Sequence, residues 1–289
     1  MIDFRKLVKA GVHFGHQSSR WCPRMAPFIW GKKNGVHLID VSKTAHQLEK
    51  AAKFLESVAA EGKTVLWVGT KKPAQNGIKN AASTCGMPSV THRWIGGTLT
   101  NNLQVKKSIT KYLHLGDVLK RAEKTHYTKK ELNSFSKRLD RLEKNIGGIV
   151  KMKWPVGALV VVDVRKEQSA VKEAAVMGIP VIALVDTNSN PEKVTHIIPG
   201  NDDAPRSINV VVEYLADAAK RGKEVADKAA QEAKDAEKAA LGDKKKAAPK
   251  KNAAPVKKAA PKKAAPKKAV AKKAAPKKEE APKADADKK

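Results

Sequence analysis

Cysteine is nearly missing: Cys22 and Cys85 are the only two in 289 residues. Two thiols exclude a disulfide framework and fit a reducing cytoplasm. Aromatic residues are scarce at 4%, and acid is short relative to base, with 29 Asp and Glu against 58 Lys and Arg. Long apolar runs are absent. None approaches the roughly 20 residues that span a bilayer, and the opening MIDFRKLVKAG is too short and too charged for a secretory leader. Neither G-x-x-x-x-G-K-[ST] nor G-x-G-x-x-G occurs, and no nucleophile stands beside a base. These gaps leave an expectation of an intracellular, non-catalytic protein with no cofactor, no membrane contact and no small-molecule substrate.

What is abundant is positive charge. The formal net charge is +29. Residues 243–289 hold 18 lysines and 5 acids, while residues 1–242 hold 40 basic and 24 acidic side chains. The body is therefore basic without its tail, which implies a polyanionic partner. In the tail, Lys-Lys-Ala-Ala-Pro recurs at 245–249, 257–261, 262–266 and 272–276. Repeated proline and side chains that cannot bury a core predict disorder, and like charges extend it. It resembles the tails of linker-histone-like proteins, and its chemistry is sequence-independent, salt-sensitive polyanion binding.

Three apolar runs predict buried strands at 158–163, 179–186 and 194–198. The first two are continuous and β-branched, the pattern of strands covered on both faces of a parallel sheet. Between them, 166–177 has the length of one helix, with Val171, Ala174 and Ala175 on one face and Gly178 as a left-handed stop. Strand, helix and strand make a right-handed crossover. Each strand runs into a polar cluster: Asp163 to Arg165, Asp186 to Pro191, and Pro199 to Asp203. Ligands bind at such strand ends in open α/β sheets, although acids and amides there more often cap helices and build turns. Upstream, 42–62 predicts a helix, 64–69 a strand and 88–92 a short strand. Thr70-Lys71-Lys72-Pro73 opens another helix, where backbone amides and two lysines could hold an RNA phosphate.

Asn34-Gly35 between apolar runs predicts a hairpin over 28–39 with Lys32 and Lys33 at its tip. Trp21 and Trp30 nearby offer stacking faces or, more commonly for tryptophan, core packing. His13, His16 and Cys22, with Cys85 and His92 more distant, match no structural-zinc spacing, so no metal is expected. From 102 to 150 the pattern changes. Thr128 and Glu131 form a capping box, and Leu132, Phe135, Leu139, Leu142, Ile146 and Ile149 step as a coiled-coil seam. A helical hairpin with a break near 125–128 follows, and residues 104–153 carry 14 basic and 5 acidic side chains. The expected organisation is a 1–221 body with a 102–153 insertion, a solvated helical linker at 222–242 and the 243–289 tail.

Six segments together point to a family: GVHFGH, RWCPRMAPFIWG, NGVHLID, RWIGGTLTN, VVVDVRKEQSAVKEA and GIPVIALVDTNSNPEKVTHIIPGNDDAPRSI. Over about residues 2–220 the chain resembles the bacterial family of protein number two of the small ribosomal subunit. The resemblance implies a flavodoxin-like parallel sheet sandwiched by helices, with a coiled-coil protrusion. It implies a structural role between head and body of the cytoplasmic ribosome's small subunit. It also implies contact with small-subunit ribosomal RNA and with neighbouring ribosomal proteins, among them the large mRNA-binding protein number one. The cations expected to meet RNA are Arg20, Arg24, Lys32, Lys33, Lys71, Lys72, Arg93, Lys106, Lys107, Arg138, Arg141, Arg165 and Arg206. Two other readings compete. A nucleoid-associated DNA binder would act through the tail, and a doubly wound enzyme would take a phosphorylated ligand but lacks every signature for it.

Overall fold

The computed structural model describes residues 3–121 and 127–246. In chain order the first elements are α1 (Phe4–Lys9), β1 (Phe14–Gln17), β2 (Ile29–Lys33), β3 (Val36–Ile39), α2 (Val41–Ala60), β4 (Thr64–Val68), α3 (Lys72–Cys85) and β5 (Ser89–Val90). They are followed by α4 (Asn102–Lys120), α5 (Lys129–Ile146), β6 (Val156–Val162), α6 (Gln168–Val176), β7 (Val181–Val185), β8 (His196–Pro199) and α7 (Pro205–Lys246). The chain divides into two units, 1–241 and 242–289. The expectation of a disordered tail falls, from residue 247 onward, outside the described residues.

β5, β4, β6, β7 and β8 form one parallel sheet in that order. Alternation along each strand sends side chains to two separate cores. Val65, Trp67, Val160, Val162, Ile182 and Leu184 pack under α2, α3 and α7, which supply Leu48, Leu55, Ile78, Ile208, Val211 and Leu215. Leu66, Val68, Leu159, Val161, Ala183 and Val185 face the other way, against Ala170, Val171 and Ala174 of α6. Fully burying one such side chain is worth about 2 kcal/mol, so both faces contribute. The expected α/β class and parallel sheet are borne out. Ala175 departs from expectation: it faces solvent, because α6 presents only Ala170, Val171 and Ala174 to the sheet.

The hairpin also forms, with Asn34 at φ 51° and Gly35 at φ 79°, the paired left-handed conformation of a tight two-residue turn. β1 adds a third strand that the sequence pattern does not announce, giving an antiparallel sheet in the order β1-β3-β2. Pairing slips between Ile29 and Gly31. This bulge turns Trp30 outward to 76% exposure, so its packing expectation fails. The predicted strand at 88–92 shrinks to Ser89–Val90.

α4 and α5 pair as the expected helical hairpin. Leu132, Phe135, Leu139 and Leu142 are half-buried along the seam, and Ile146 and Ile149 are buried where it joins the body. Gly116 faces α5 across the seam: a Cβ there would lie 3.6 Å from Leu139 Cδ1, an ordinary van der Waals contact. The Thr128–Glu131 capping box is present in both directions. α7 runs unbroken through the stretch expected to be a separate linker. Arg221 reaches Glu56 at 3.2 Å and Lys223 donates to the Cys85 carbonyl at 2.8 Å. These contacts tie α7 to α2 and to the end of α3.

Candidate nucleic-acid interface and the acidic cluster at the strand ends

The strand order reverses between β4 and β6, which puts the usual ligand crevice of such sheets beyond their carboxyl ends. Here the protein fills that crevice with its own side chains. Thr70, just past β4, gives its backbone N–H to Glu167 Oε1 at 3.1 Å and its hydroxyl to the same oxygen. Lys166 Nζ donates to the Thr70 carbonyl at 3.1 Å. Lys71 Nζ lies 2.7 Å from Asp202 Oδ1, 2.6 Å from Asp203 Oδ1 and 3.5 Å from Asp163 Oδ2. The amide expected to greet a phosphate is therefore taken by Glu167, and the Lys71 charge by three carboxylates.

His16 closes the cluster from the small sheet. Its Nδ1 is 2.9 Å from Asp186 Oδ2 and its Nε2 is 3.2 Å from Asp203 Oδ2. The hydrogen bond to Asp186 and the surrounding carboxylates raise the imidazole pKa against the effect of burial. Burial alone would lower the Lys71 pKa, but the hydrogen bonds to Asp202 and Asp203 and the pull of Asp163 hold it above the ordinary lysine value. Burial, reinforced by the charges of Asp163 and Asp186, pushes Asp202 up to about 7 despite Lys71. One atom each from His16, Asp186 and Asp202 lie within 4.8 Å of one another, an imidazole-plus-carboxylate donor set that could ligate a divalent cation. His13, Cys22, Cys85 and His92 do not belong to it. The grouping is invisible in sequence because His16 and Asp186 meet only through folding.

The candidate RNA contacts sort into two classes. Arg24 is engaged, pairing with Glu192 and donating to Asn190 Oδ1 at 3.3 Å. Lys71 is engaged as described. Arg20, Lys32, Lys33, Lys72, Arg93, Lys106, Lys107, Arg138, Arg141, Arg165 and Arg206 are exposed and have no carboxylate within 4 Å among the described residues.

The exposed cations do not share one spot. Lys32 and Lys33 sit at the end of β2, Lys72 opens α3 and Arg206 lies in the first turn of α7. Arg165 lines a cavity at the ends of β6 and β7 with Lys172 and Lys193. Arg93 and Arg141 line a groove together with Lys137 and Lys144. Lys130, Lys137 and Lys144 are absent from the set chosen from sequence. Their seven-residue spacing outside the apolar seam is the signal that marks them.

A second carboxylate shapes this groove from behind. Glu173 of α6 accepts the indole N–H of Trp94 at 2.9 Å and the backbone N–H groups of Gly97 at 2.9 Å, Leu99 at 3.0 Å and Thr100 at 3.4 Å. Burial would raise its pKa, but these donors bring it below the ordinary value. The glycine-bearing loop after Arg93 is thus pinned to the body before α4 begins.

Among the described residues no helix is long and apolar enough to cross a membrane. The model of the family described as "Ribosomal protein S2" matches residues 7–222. The small ribosomal subunit protein uS2 of Koribacter versatilis is 43% identical over 239 residues, which is 83% of this chain and 79% of that protein. The protein of the same name from Bradyrhizobium diazoefficiens is 44% identical over 218 residues, 75% of this chain and 66% of its own length. The match covers the sheet, the helical hairpin and the filled crevice alike, and the chain belongs to the ribosomal protein S2 family.

Proposed function

We propose that the chain is a structural constituent of the small subunit of the cytoplasmic ribosome, binding small-subunit ribosomal RNA and neighbouring ribosomal proteins. The observation that carries this is the family match over residues 7–222, which coincides with a body that is basic independently of its tail. The role is non-catalytic: Glu167, Lys71 and Asp202 fill the one crevice where a sheet of this order takes ligands. The eleven exposed, unpaired cations form the RNA-facing set, while Lys71 and Arg24 serve the fold. The large mRNA-binding protein number one is the finer partner in this reading. The body through residue 221 docks, residues 222–242 link, and residues 243–289 add non-specific polyanion affinity.

The test is sedimentation of the tagged full-length protein from DNase-treated lysate at moderate and high salt. Cosedimentation with the small subunit is expected to survive both treatments. Release by DNase or by salt alone, with no small-subunit peak, would instead favour the DNA-binding reading, which nothing in the family match supports. Within the same assay, Lys32→Glu with Lys33→Glu is expected to weaken incorporation while the isolated protein melts as before. Unchanged incorporation would remove the hairpin tip from the RNA-facing set.

A further inference from the structure

A continuous alignment of positive charge lies on the solvent side of α5. Its apolar seam faces α4, leaving the opposite side to solvent. There Lys130, Lys137, Arg141 and Lys144 recur at steps of seven, four and three, which puts them on one stripe. Two adjoining concavities share Lys137. One is lined by Lys129, Lys130, Asn133, Ser134 and Lys137, the other by Lys137, Arg141 and Lys144 with His92 and Arg93. The stripe thus runs into the loop that Glu173 pins. From Lys130 to Lys144 it covers about 21 Å of helix.

None of these cations has a carboxylate within 4 Å among the described residues. Asp140 lines the same groove without pairing to any of them. Asn145 beside it is held by His92 Nδ1 at 3.0 Å, which fixes the groove's far wall. The lining contains no Trp, Phe or Tyr. Recognition of unpaired bases relies on aromatic stacking, whereas double-helical RNA is held by its shape and backbone.

We infer that this groove seats the phosphodiester backbone of a double-helical segment of small-subunit ribosomal RNA, with Lys137, Arg141, Lys144 and Arg93 as its central contacts. The inference rests on the ribosomal reading and deepens it. It assigns the hairpin a binding face on α5, separate from the small-sheet tip at Lys32 and Lys33. Phosphate contacts of this kind position a protein on RNA without reading sequence.

The experiment compares three full-length chains: wild type, the combined Lys137→Gln, Arg141→Gln and Lys144→Gln variant, and a control carrying Lys9→Gln, Lys50→Gln and Lys220→Gln. The control loses the same charge from exposed positions elsewhere on the body. Tail and net charge are then equal in the two variants. Binding to protein-free small-subunit ribosomal RNA is measured across a potassium chloride series, and incorporation into subunits lacking this protein is measured in parallel. Each lost phosphate contact lowers the slope of log affinity against log salt by about 0.9 on a duplex. The groove variant is expected to show a slope shallower by roughly 2 to 3 than that of the control, and an affinity at least about tenfold weaker at equal salt. Equal slopes for the two variants overturn the proposal. Unchanged RNA binding with failed incorporation also overturns it, assigning the groove to a neighbouring protein. If the wild type itself enters no subunit, the ribosomal reading fails first, and the two failures are distinguishable.

Discussion

Asp202 is withdrawn from water, and only one of its two oxygens is satisfied. Lys71 holds Oδ1 at 2.7 Å, while Oδ2 has no partner among the described residues. Burial and the adjacent Asp163 and Asp186 push its pKa to about 7, against about 3.9 in an unfolded chain. Between those values the folded protein binds more protons, so stability falls as pH rises from about 4 to 7. His16, also raised, acts in the same direction: the stability it adds is present in acid and is lost as pH climbs through its folded value. Asp202→Asn keeps an acceptor for Lys71 and removes the buried charge. Its melting temperature is expected to rise relative to wild type between pH 5 and pH 8, by a margin corresponding to about 1–3 kcal/mol. Parallel melting curves for the two proteins would show that Asp202 carries no such penalty. Glu173 has the opposite sign. Its lowered pKa stabilises above the ordinary glutamate range, and that contribution disappears as pH falls through the folded value. Glu173→Ala strands the donors of Trp94, Gly97 and Leu99 and is expected to cost about 2–4 kcal/mol. The urea midpoint read by tryptophan fluorescence measures it, and a change below 0.5 kcal/mol would deny the clamp.

Elements differ in how openly the sequence declares them. The cores of β6 and β7 are legible because a strand covered on both faces needs an unbroken β-branched run. The α4–α5 hairpin is legible because its seam is periodic and Thr128–Glu131 marks a start. β1 is not, since Phe-Gly-His-Gln becomes a strand only by pairing with β3. The length of α7 is not legible either: an Ala-, Lys- and Glu-rich stretch has helix propensity but no apolar stripe to announce continuity. The strand-end cluster is hidden for a topological reason, because residues from β1, β4, β6, β7 and β8 converge there. Exposed cations were readable as candidates, but their pairing was not, and only the fold separates Arg24 from Arg141. The cap offers a test at this scale. Thr128→Ala removes the hydroxyl that accepts the Glu131 N–H, while the backbone N–H at 128 still donates to the Glu131 carboxylate, and is expected to cost about 1 kcal/mol. The α5 joint with the body, at Ile146 and Ile149, lies at the other end of the helix, so the loss should be local. Hydrogen exchange is expected to quicken near residues 129–135 and stay unchanged in β6 and β7. Faster exchange throughout the sheet would mean that hairpin and body unfold as one unit.

For the molecule as a whole, the question is which part of the net +29 carries specificity. Residues 243–289 supply 18 lysines in a repeating, proline-broken pattern, a composition suited to counterion release on any polyanion. Specific docking needs cations fixed in relative position, and those are mounted on β2, α3, α5 and the strand-end loops of the family-matched region. Deleting 243–289 should therefore separate two affinities that the intact chain combines. Cosedimentation with the small subunit is expected to persist in high salt. Affinity for an arbitrary DNA or RNA duplex is expected to drop, with a shallower dependence on salt concentration, because most of the non-specific phosphate contacts are gone. Loss of subunit binding on truncation would place specificity in the tail. An unaltered slope on arbitrary duplexes would instead mean that the body's exposed cations already dominate non-specific binding. The two readouts together locate each kind of affinity, because fixed charges on a folded surface discriminate among RNA shapes and charges on a proline-broken chain do not.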